Sequence, residues 1–254
     1  MKYTAILLAG SRPGRDPFAA QFGNDIKALV AVAGEPMVRR PVRALLDSSH
    51  VERVLVLSQA PDRIAAVIPE DPRVEFREST ATIAETMLAI CRDPKTQWPL
   101  LVTTADHALL DTGIVDEFCS GAAGSDLAVG VVERRVLMQR WPDAQRTWLK
   151  FRGGAYTGAN LFALTSAAVG PAIALWRSVE QDRKKGWRLI ALVGPLMLLA
   201  AALRLASIDT VLDRLGRKLC LSIRAVRLSI PVAGIDVDKP ADHTLAEDIL
   251  AGRE

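Results

Sequence analysis

The chain has 254 residues, of which 50% are hydrophobic and 24% are charged, and its formal net charge at pH 7 is +3. Such a composition is typical of a folded domain with a sizeable core and excludes an intrinsically disordered chain. The positive balance is too small for the concentrated basic surface of DNA- and RNA-binding proteins, so we expect no nucleic-acid partner.

The first half of the chain alternates between strand and helix patterns. Buried or β-branched runs predict strands over Thr4–Ala9, Val51–Leu57, Val74–Phe76, Leu100–Thr104 and Leu127–Val132. Apolar residues at helical spacing predict helices between them, over Met37–Leu46, Ile64–Ile68, Thr80–Cys91 and Gly113–Ser120. This alternation is typical of a parallel sheet with helices on both faces. Such sheets bind their ligands beyond the carboxyl ends of the strands.

The second half of the chain has a different pattern. It predicts two strands beside a Gly-Gly turn, a helix-rich stretch, a strand and a final helix, over Arg146–Phe151, Ala159–Phe162, 166–219, Val226–Pro231 and 241–250. No internal repeat, low-complexity tract or flexible linker divides the sequence. We therefore expect a single domain over residues 1–254 with a helical elaboration in its second half.

Three features of the sequence bear on the compartment. A strand begins directly after Met1-Lys2, so we expect no signal peptide. The apolar stretch Leu189–Leu203 is interrupted by Gly194-Pro195 and falls short of the roughly 20 residues of a membrane span. A buried helix pair is favoured there, and a membrane-contacting surface beside Arg183-Lys184-Lys185 is the alternative. The three cysteines form neither a CxxC motif nor an even-numbered disulfide framework, which favours a reducing cytoplasm.

The segment Gly10-Ser11-Arg12-Pro13-Gly14-Arg15, which we call the opening loop, follows the first predicted strand. Glycines at the end of a strand let backbone N–H groups converge on an anion. Arg12 and Arg15 supply forked donors to phosphate oxygens, and Lys27 supplies a further positive charge. We interpret the loop as a polyphosphate site, with an ordinary connection bearing solvated arginines as the alternative. It matches neither GxxxxGK[ST] nor GxGxxG.

Acidic residues lie after one predicted strand and along a second extended segment. The strand Leu100–Thr104 leads into Asp106, which places that carboxylate at the edge of the sheet. Asp236 and Asp238 alternate along an extended segment, so their carboxylates face the same way. Helix capping is the alternative interpretation, with Asp106 capping the next segment and Asp238 or Asp242 as the N-cap of the last helix. His107, beside Asp106, is interpreted as an incidental residue at the same edge.

Together these segments resemble a known family. The runs Leu8-Ala9-Gly10-Ser11-Arg12-Pro13-Gly14-Arg15, Lys27 with Gly34-Glu35-Pro36-Met37, Thr104-Ala105-Asp106 and Asp236-Val237-Asp238-Lys239-Pro240-Ala241-Asp242 occur in the order and spacing of the MobA-like nucleotidyltransferases. The resemblance spans almost the whole chain and is loose between residues 165 and 225. It implies an α/β fold, a GT-A-like and Rossmann-related three-layer αβα sandwich with a mostly parallel central sheet. It also implies a reaction of an NTP with a phosphorylated small-molecule acceptor that releases pyrophosphate.

The resemblance also implies roles for single residues. Residues implied to bind the nucleotide are Leu8, Ala9, Gly10, Ser11, Arg12, Gly14, Arg15, Lys27, Ser79 and Thr80, with Arg15, Lys27 and Asp106 as catalytic residues. The implied cofactor is Mg²⁺, and the implied metal residues are Asp106, Asp238 and their near neighbour Asp236. Ser11 and Pro13 depart from the usual glycines of the loop, and Ile26 replaces the usual proline before the phosphate lysine.

The acceptor side of the implied site has fewer matching residues. Relatives contact their substrate from a Gly-x-Asn segment, so Thr157 and Asn160 are implied to bind the acceptor, and a β-turn with a structural asparagine is the alternative. The aromatic and basic residues from Trp176 to Arg188 fit a solvated helix face, which is favoured, or the wall of an acceptor pocket. Residues of about 1–135 would bind the NTP, and those of about 136–254 would bind the acceptor.

Two other functions fit parts of the sequence. A GT-A glycosyltransferase using a nucleotide sugar normally carries its Asp-x-Asp in mid-chain, whereas here Asp236-Val237-Asp238 lies near the C-terminal end. A nucleotide-binding module without catalysis would have no need of the implied catalytic and metal-binding side chains. The base, the acceptor and the oligomeric state stay open at this point.

Overall fold

A computed structural model describes residues 1–10, 16–79, 82–181, 194 and 205–253 of the chain. Several predictions concern residues outside these ranges. They are the roles of Ser11, Arg12, Gly14, Arg15 and Thr80, the structure of 182–193 and 195–204, and the basic and aromatic side chains of 183–188.

Strands occur throughout the described part of the chain. They are β1 (Tyr3–Leu8), β2 (Ala31–Val32), β3 (Glu35–Pro36), β4 (Val51–Ser58), β5 (Val74–Glu78), β6 (Leu100–Thr104), β7 (Leu127–Glu133), β8 (Leu149–Phe151), β9 (Gly154–Leu164) and β10 (Ile223–Leu228). Eight of them form one sheet in the order β10-β7-β9-β6-β1-β4-β5, with β8 paired to β9, and β2 and β3 form a separate two-stranded sheet.

The large sheet is mostly parallel, as predicted. Strand β1 pairs in parallel with β4 and β6, β4 with β5, and β7 with β10. Strand β9 is antiparallel to β6, β7 and β8. Because β9 separates β6 from β7, those two strands still run in the same direction. The carboxyl ends of β1, β4, β5, β6, β7 and β10 therefore meet at one edge of the sheet, which we call the carboxyl edge.

Helices connect the strands. They are α1 (Pro17–Gln21), α2 (Arg39–Asp47), α3 (Pro61–Ala65), α4 (Ile83–Arg92), α5 (Thr112–Ala122), α6 (Arg134–Arg140), α7 (Gly170–Gln181), α8 (Ile208–Leu219) and α9 (Pro240–Leu250), with 3-10 turns at Lys27–Leu29, Ala167–Val169 and Pro231–Gly234. Local capping explains several starts: Thr82 and Glu85 form a capping box on α4, and Asp111 caps α5. Within the described residues, no helix has the length and hydropathy of a membrane span.

The central strands are buried on both faces, which places helices in two layers. Leu7 and Leu101 pack on one side of the sheet in a core that includes Phe118 of α5. Their neighbours Ile6 and Val102 pack on the other side in a core formed with α4 and α7. Alternate residues of a strand point to opposite faces of the sheet. Because the residues on both faces are apolar, helices cover both faces, and the result is a helix–sheet–helix sandwich. The predicted three-layer arrangement is confirmed.

Sequence patterns failed at a few elements. The strand predicted over Arg146–Phe151 is shorter, because only Leu149–Phe151 pair with β9. The strand predicted over Val226–Pro231 starts at Ile223, and Pro231 begins a 3-10 turn instead, since proline has no N–H for a sheet ladder. Helix α6 was not predicted.

The three cysteines provide a test of this packing. Cys91 and Cys119 are buried and Cys220 is exposed. Burial raises the pKa of the Cys91 thiol to about 11 and that of Cys119, with a smaller effect of Asp116, to about 12. At pH 8 we expect DTNB to react rapidly with one thiol of the folded protein and with all three after denaturation.

The same pKa shifts predict that the free energy of unfolding decreases at high pH. An unfolded thiol ionises at lower pH than these buried ones, so the unfolded state loses protons first. The contribution of these two thiols to the free energy of unfolding is therefore fully present below about pH 8.5. It is lost as the pH rises through about 11 for Cys91 and about 12 for Cys119. The control for the DTNB reaction is Cys220→Ser, which should remove the rapid labelling. Rapid labelling of a second thiol in the folded protein would contradict the packing.

Candidate active site

Lys27 lies between two carboxylates from distant parts of the chain. Its Nζ is 2.7 Å from Asp106 Oδ2 and also donates a hydrogen bond to Asp238 Oδ1. Burial alone would lower the pKa of Lys27, but the charges of Asp106 and Asp238 and their hydrogen bonds outweigh burial and raise it. The ammonium is therefore charged at neutral pH, and it bridges the carboxylates of Asp106 and Asp238.

The sheet places Asp106 at this point. Asp106 follows β6 at the carboxyl edge, and Thr104, the last residue of β6, donates its hydroxyl to Asp106 Oδ1. The backbone N–H of Ala105 donates to the carbonyl of Leu8 at the end of β1, over 2.9 Å. Asp106 is therefore next to the residues that lead into the opening loop.

The C-terminal segment is attached to the same edge through its backbone. The N–H of Val237 donates to the carbonyl of Asp106 over 2.9 Å. This bond sets Asp238 beside Asp106, so the two aspartates predicted as metal ligands lie together. Neither caps a helix, because Asp111 is the N-cap of α5 and Lys239 is the N-cap of α9. The capping interpretation of Asp106 and Asp238 is therefore wrong.

Asp236 has different partners from Asp238. Its Oδ1 is 2.7 Å from Arg146 Nη1, and its Oδ2 accepts a 3.2 Å hydrogen bond from Asn160 Nδ2. Burial raises the pKa of Asp236, the charges of Asp238 and Asp106 add to the rise, and Arg146 opposes it. Sequence patterns gave no signal for Arg146, which lies in an irregular segment between α6 and β8.

The predicted nucleotide residues that the structure describes lie at the carboxyl edge. Leu8 ends β1, and the N–H of Ala9 donates to the carbonyl of Leu57 in the neighbouring β4. A Cβ atom added at Gly10 would lie 3.0 Å from the side-chain amide of Gln59, so glycine allows the backbone to approach that amide closely. Ser79 follows β5, and its hydroxyl shares a 2.8 Å hydrogen bond with that of Thr86 in α4.

The two predicted acceptor residues have different surroundings. Asn160 donates to Asp236 and adopts a left-handed backbone conformation with φ of 49°, which is uncommon outside glycine. Thr157 is buried in β9, and its methyl group lies so close to Gly234 that a Cβ atom added there would be only 2.9 Å away. The structure therefore joins Asn160 to the acidic cluster and places Thr157 in a packed region.

His107 does not lie on the surface of the carboxyl edge. It is 1% exposed, and neither ring nitrogen has a hydrogen-bond partner among the described residues. Burial lowers its pKa to about 4, although the charge of Asp106 opposes this. The prediction of an edge position is wrong: the ring turns into the core and is neutral at pH 7.

The donor set suits a hard divalent cation. Two carboxylates converge on a single cationic atom, and Mg²⁺ prefers oxygen ligands from one or two carboxylates together with substrate phosphates. In the described ranges, no three His, Cys, Asp or Glu side chains enclose a complete metal site. A metal held by Asp106 and Asp238 would thus need further oxygen ligands from water or from a substrate.

A cavity of about 500 Å³ opens near the carboxyl end of β7. Its lining residues are Arg134, Trp148, Lys150, Phe151, Gly154 and Ala155. Arg134 directly follows β7, and Gly154 begins the antiparallel β9, so the cavity is at the same edge of the sheet as Asp106.

Comparisons with known proteins agree with this fold. Residues 5–193 match the family described as the MobA-like NTP transferase domain. A hypothetical transferase from Thermus thermophilus is 28% identical, with a TM-score of 0.80 over 96% of this chain and 100% of that one. No curated protein matches the sequence significantly.

More distant structures share the architecture. The 4-diphosphocytidyl-2C-methyl-D-erythritol synthase of Anaerococcus prevotii is 8% identical, with a TM-score of 0.62 over 98% of this chain and 96% of that one. A CMP:2-keto-3-deoxy-manno-octonic acid synthetase in complex with CTP is 13% identical, with a TM-score of 0.60 over the whole of both chains. At these identities the likeness concerns the fold.

Proposed function

The chain belongs to the MobA-like NTP transferase family, and from this premise we propose that it transfers a nucleoside monophosphate from an NTP to a phosphorylated small molecule. One observation carries the proposal: Lys27, Asp106 and Asp238 meet at the carboxyl edge, beside the end of β1 from which the opening loop emerges. Open α/β sheets bind their ligands at this edge.

The nucleotide would be held by groups of both charge types. The backbone at Leu8 and Ala9 leads into the opening loop, and both are proposed to contact the nucleotide. Within the loop, Gly10, Ser11, Arg12, Gly14 and Arg15 are proposed to bind the triphosphate. Ser79 and Thr80 are proposed to lie near the base. Asp106 and Asp238 would hold Mg²⁺, which would neutralise phosphate charge and orient the phosphates when bound.

The proposed reaction is a substitution at the α-phosphorus. An oxygen of the acceptor phosphate forms the new bond to phosphorus, and the bond to the β-phosphate oxygen breaks, so pyrophosphate leaves with the electron pair. A phosphate monoester is anionic near neutral pH, so the reaction needs no general base. Arg15 and Lys27 would stabilise the charge that develops on the leaving group, and the site acts mainly by positioning.

The cavity beside β7 supports a phosphorylated acceptor. Arg134 and Lys150 provide cationic groups for a phosphate, while Trp148 and Phe151 provide apolar surface for the rest of the molecule. Asn160 is proposed to contribute from the neighbouring acidic cluster, and Thr157 to shape the adjoining wall.

We also propose that the chain acts as one domain, with NTP bound by the first half and acceptor by the second. Strands of both halves share the large sheet, and the C-terminal Asp238 completes a cluster begun by Lys27 and Asp106. The cytoplasm is the proposed compartment, in line with three free cysteines.

Release of pyrophosphate tests the proposed function. Purified protein is incubated with each of the four NTPs, Mg²⁺ and a panel of sugar phosphates and other phosphorylated metabolites. We expect one pair to release pyrophosphate, with release stopped by EDTA. Consumption of nucleotide sugars without pyrophosphate release from any pair would contradict the proposal and favour a glycosyltransferase.

A further inference from the structure

Arg146 is a buried cation that contacts the C-terminal segment at three atoms. Its side chain is 7% exposed, and Nη1 is 2.7 Å from Asp236 Oδ1. Nη2 is 3.0 Å from Asp242 Oδ1 and donates to the carbonyl oxygen of Asp236 over 3.2 Å. A buried guanidinium is tolerated only where carboxylates compensate it, and here two do so.

These two carboxylates lie on either side of Asp238 in the chain. Asp242 uses its second oxygen, Oδ2, to accept the backbone N–H groups of Asp238 over 3.2 Å and of Lys239 over 3.0 Å. One carboxylate therefore links the Arg146 guanidinium to the backbone of Asp238. The Asp238 side chain itself is 55% exposed, so these hydrogen bonds to Asp242 hold the backbone from which it extends.

Asp236 is held from both sides. Arg146 takes one carboxylate oxygen, and the Asn160 amide donates to the other. Asn160 does this from a left-handed backbone conformation, which costs free energy and persists only where the surroundings fix it. Both carboxylate oxygens of Asp236 thus accept from protein donors, whereas the Asp238 carboxylate contacts Lys27, which also contacts Asp106.

We propose that Arg146 is a positioning residue. Through Asp236 and Asp242, Arg146 holds Asp238 in the orientation that places the Asp238 carboxylate beside that of Asp106. Asp236 then belongs to this Arg146 network and is not a metal ligand. The inference rests on the proposed function, because it assigns the network to the same metal-binding aspartates.

Conservative variants test the inference through metal binding and turnover. Arg146→Lys keeps the charge but loses the fork that reaches both carboxylates. We expect Mn²⁺, titrated alone and followed by electron paramagnetic resonance, to bind about 10-fold more weakly, as is usual when a group that orients a ligand is removed. Turnover at saturating metal should stay within about threefold of the unmodified protein, so the metal concentration for half-maximal rate changes more than kcat.

Asp236→Asn distinguishes a network residue from a ligand. We expect it to behave like Arg146→Lys, and the double variant to be no worse than either single one, since both break the same contact. Asp238→Asn should instead abolish turnover at every metal concentration. If Asp236→Asn also abolishes turnover at saturating Mg²⁺, Asp236 is a ligand and the inference is overturned.

Arg73→Lys is the matched control. Arg73 forms a forked pair with Asp71 and bonds the carbonyl of Leu46, the same kinds of partner as those of Arg146, at the opposite edge of the sheet. It should leave Mn²⁺ binding and turnover unchanged. Equal Mn²⁺ affinity of Arg146→Lys and the unmodified protein would overturn the positioning role alone, whereas an unmodified protein that neither binds Mn²⁺ nor releases pyrophosphate would contradict the proposed function itself.

Discussion

Replacing Asp106 by asparagine is expected to lower turnover by about 100-fold or more while leaving the fold intact. The change keeps the size of the side chain and its position after β6, but removes the negative charge that faces Lys27. A metal held by Asp238 alone would be weakly placed, and groups that stabilise transition-state charge each contribute about 10²–10³ in kcat. The measurement is the rate of pyrophosphate release over a range of Mg²⁺ concentrations, with thermal unfolding of the variant recorded beside it.

Asp71→Asn is the control for the Asp106 variant. Asp71 pairs with Arg73 just before β5, at the amino end of the strand and thus away from the carboxyl edge. Its loss should leave kcat unchanged. If Asp106→Asn alters neither turnover nor metal dependence, the carboxylate has no part in the reaction, and a nucleotide-binding module becomes the better description.

Replacing Lys27 by methionine is expected to have opposite effects on turnover and on metal binding. Methionine has a similar length without the charge, so the phosphates lose a cationic contact, and we expect kcat to fall by about 100-fold or more. Lys27 Nζ contacts one oxygen of each of the two carboxylates that we propose to hold the metal, so it would compete with the metal for them. Without it, Asp106 and Asp238 repel each other, and Mn²⁺ should bind several-fold more tightly.

The Lys27 variant has a control with no contact at the site. Lys95 is exposed after α4, and Lys95→Met should change neither kcat nor Mn²⁺ affinity. Normal turnover of Lys27→Met would show that the lysine only compensates the two carboxylates. Weaker Mn²⁺ binding would show that the metal does not share its oxygens.

The opening loop and Asp106 were found in the sequence because each follows a predicted strand, and Asp236 and Asp238 because they alternate along an extended segment. The hydrophobic pattern predicts where a strand ends, and parallel strands bring their ends to one edge. That reasoning placed Asp106 beside the end of β1, where the structure has it. The roles of these residues stay predictions.

Other features had no local signal. The partners of Asp236 could not be foreseen, because Arg146 lies 90 positions earlier in an irregular segment. Burial of His107 was also missed, since a histidine beside an aspartate at the edge of a sheet looks like a surface residue until the backbone turn after β6 is known. The predicted strand at β8 was too long because Trp148, just before β8, packs against the core without pairing in the sheet.

The sequence by itself indicated the family, through motifs in a set order and spacing, and most of the strand–helix alternation of the first half, because that alternation depends on local propensity and on runs of neighbouring residues. Tertiary structure alone decided that Lys27 lies between Asp106 and Asp238, and that Arg146 takes Asp236 and Asp242. Which charge pairs with which depends on the distances that packing creates between remote segments, and one-dimensional spacing does not contain those distances.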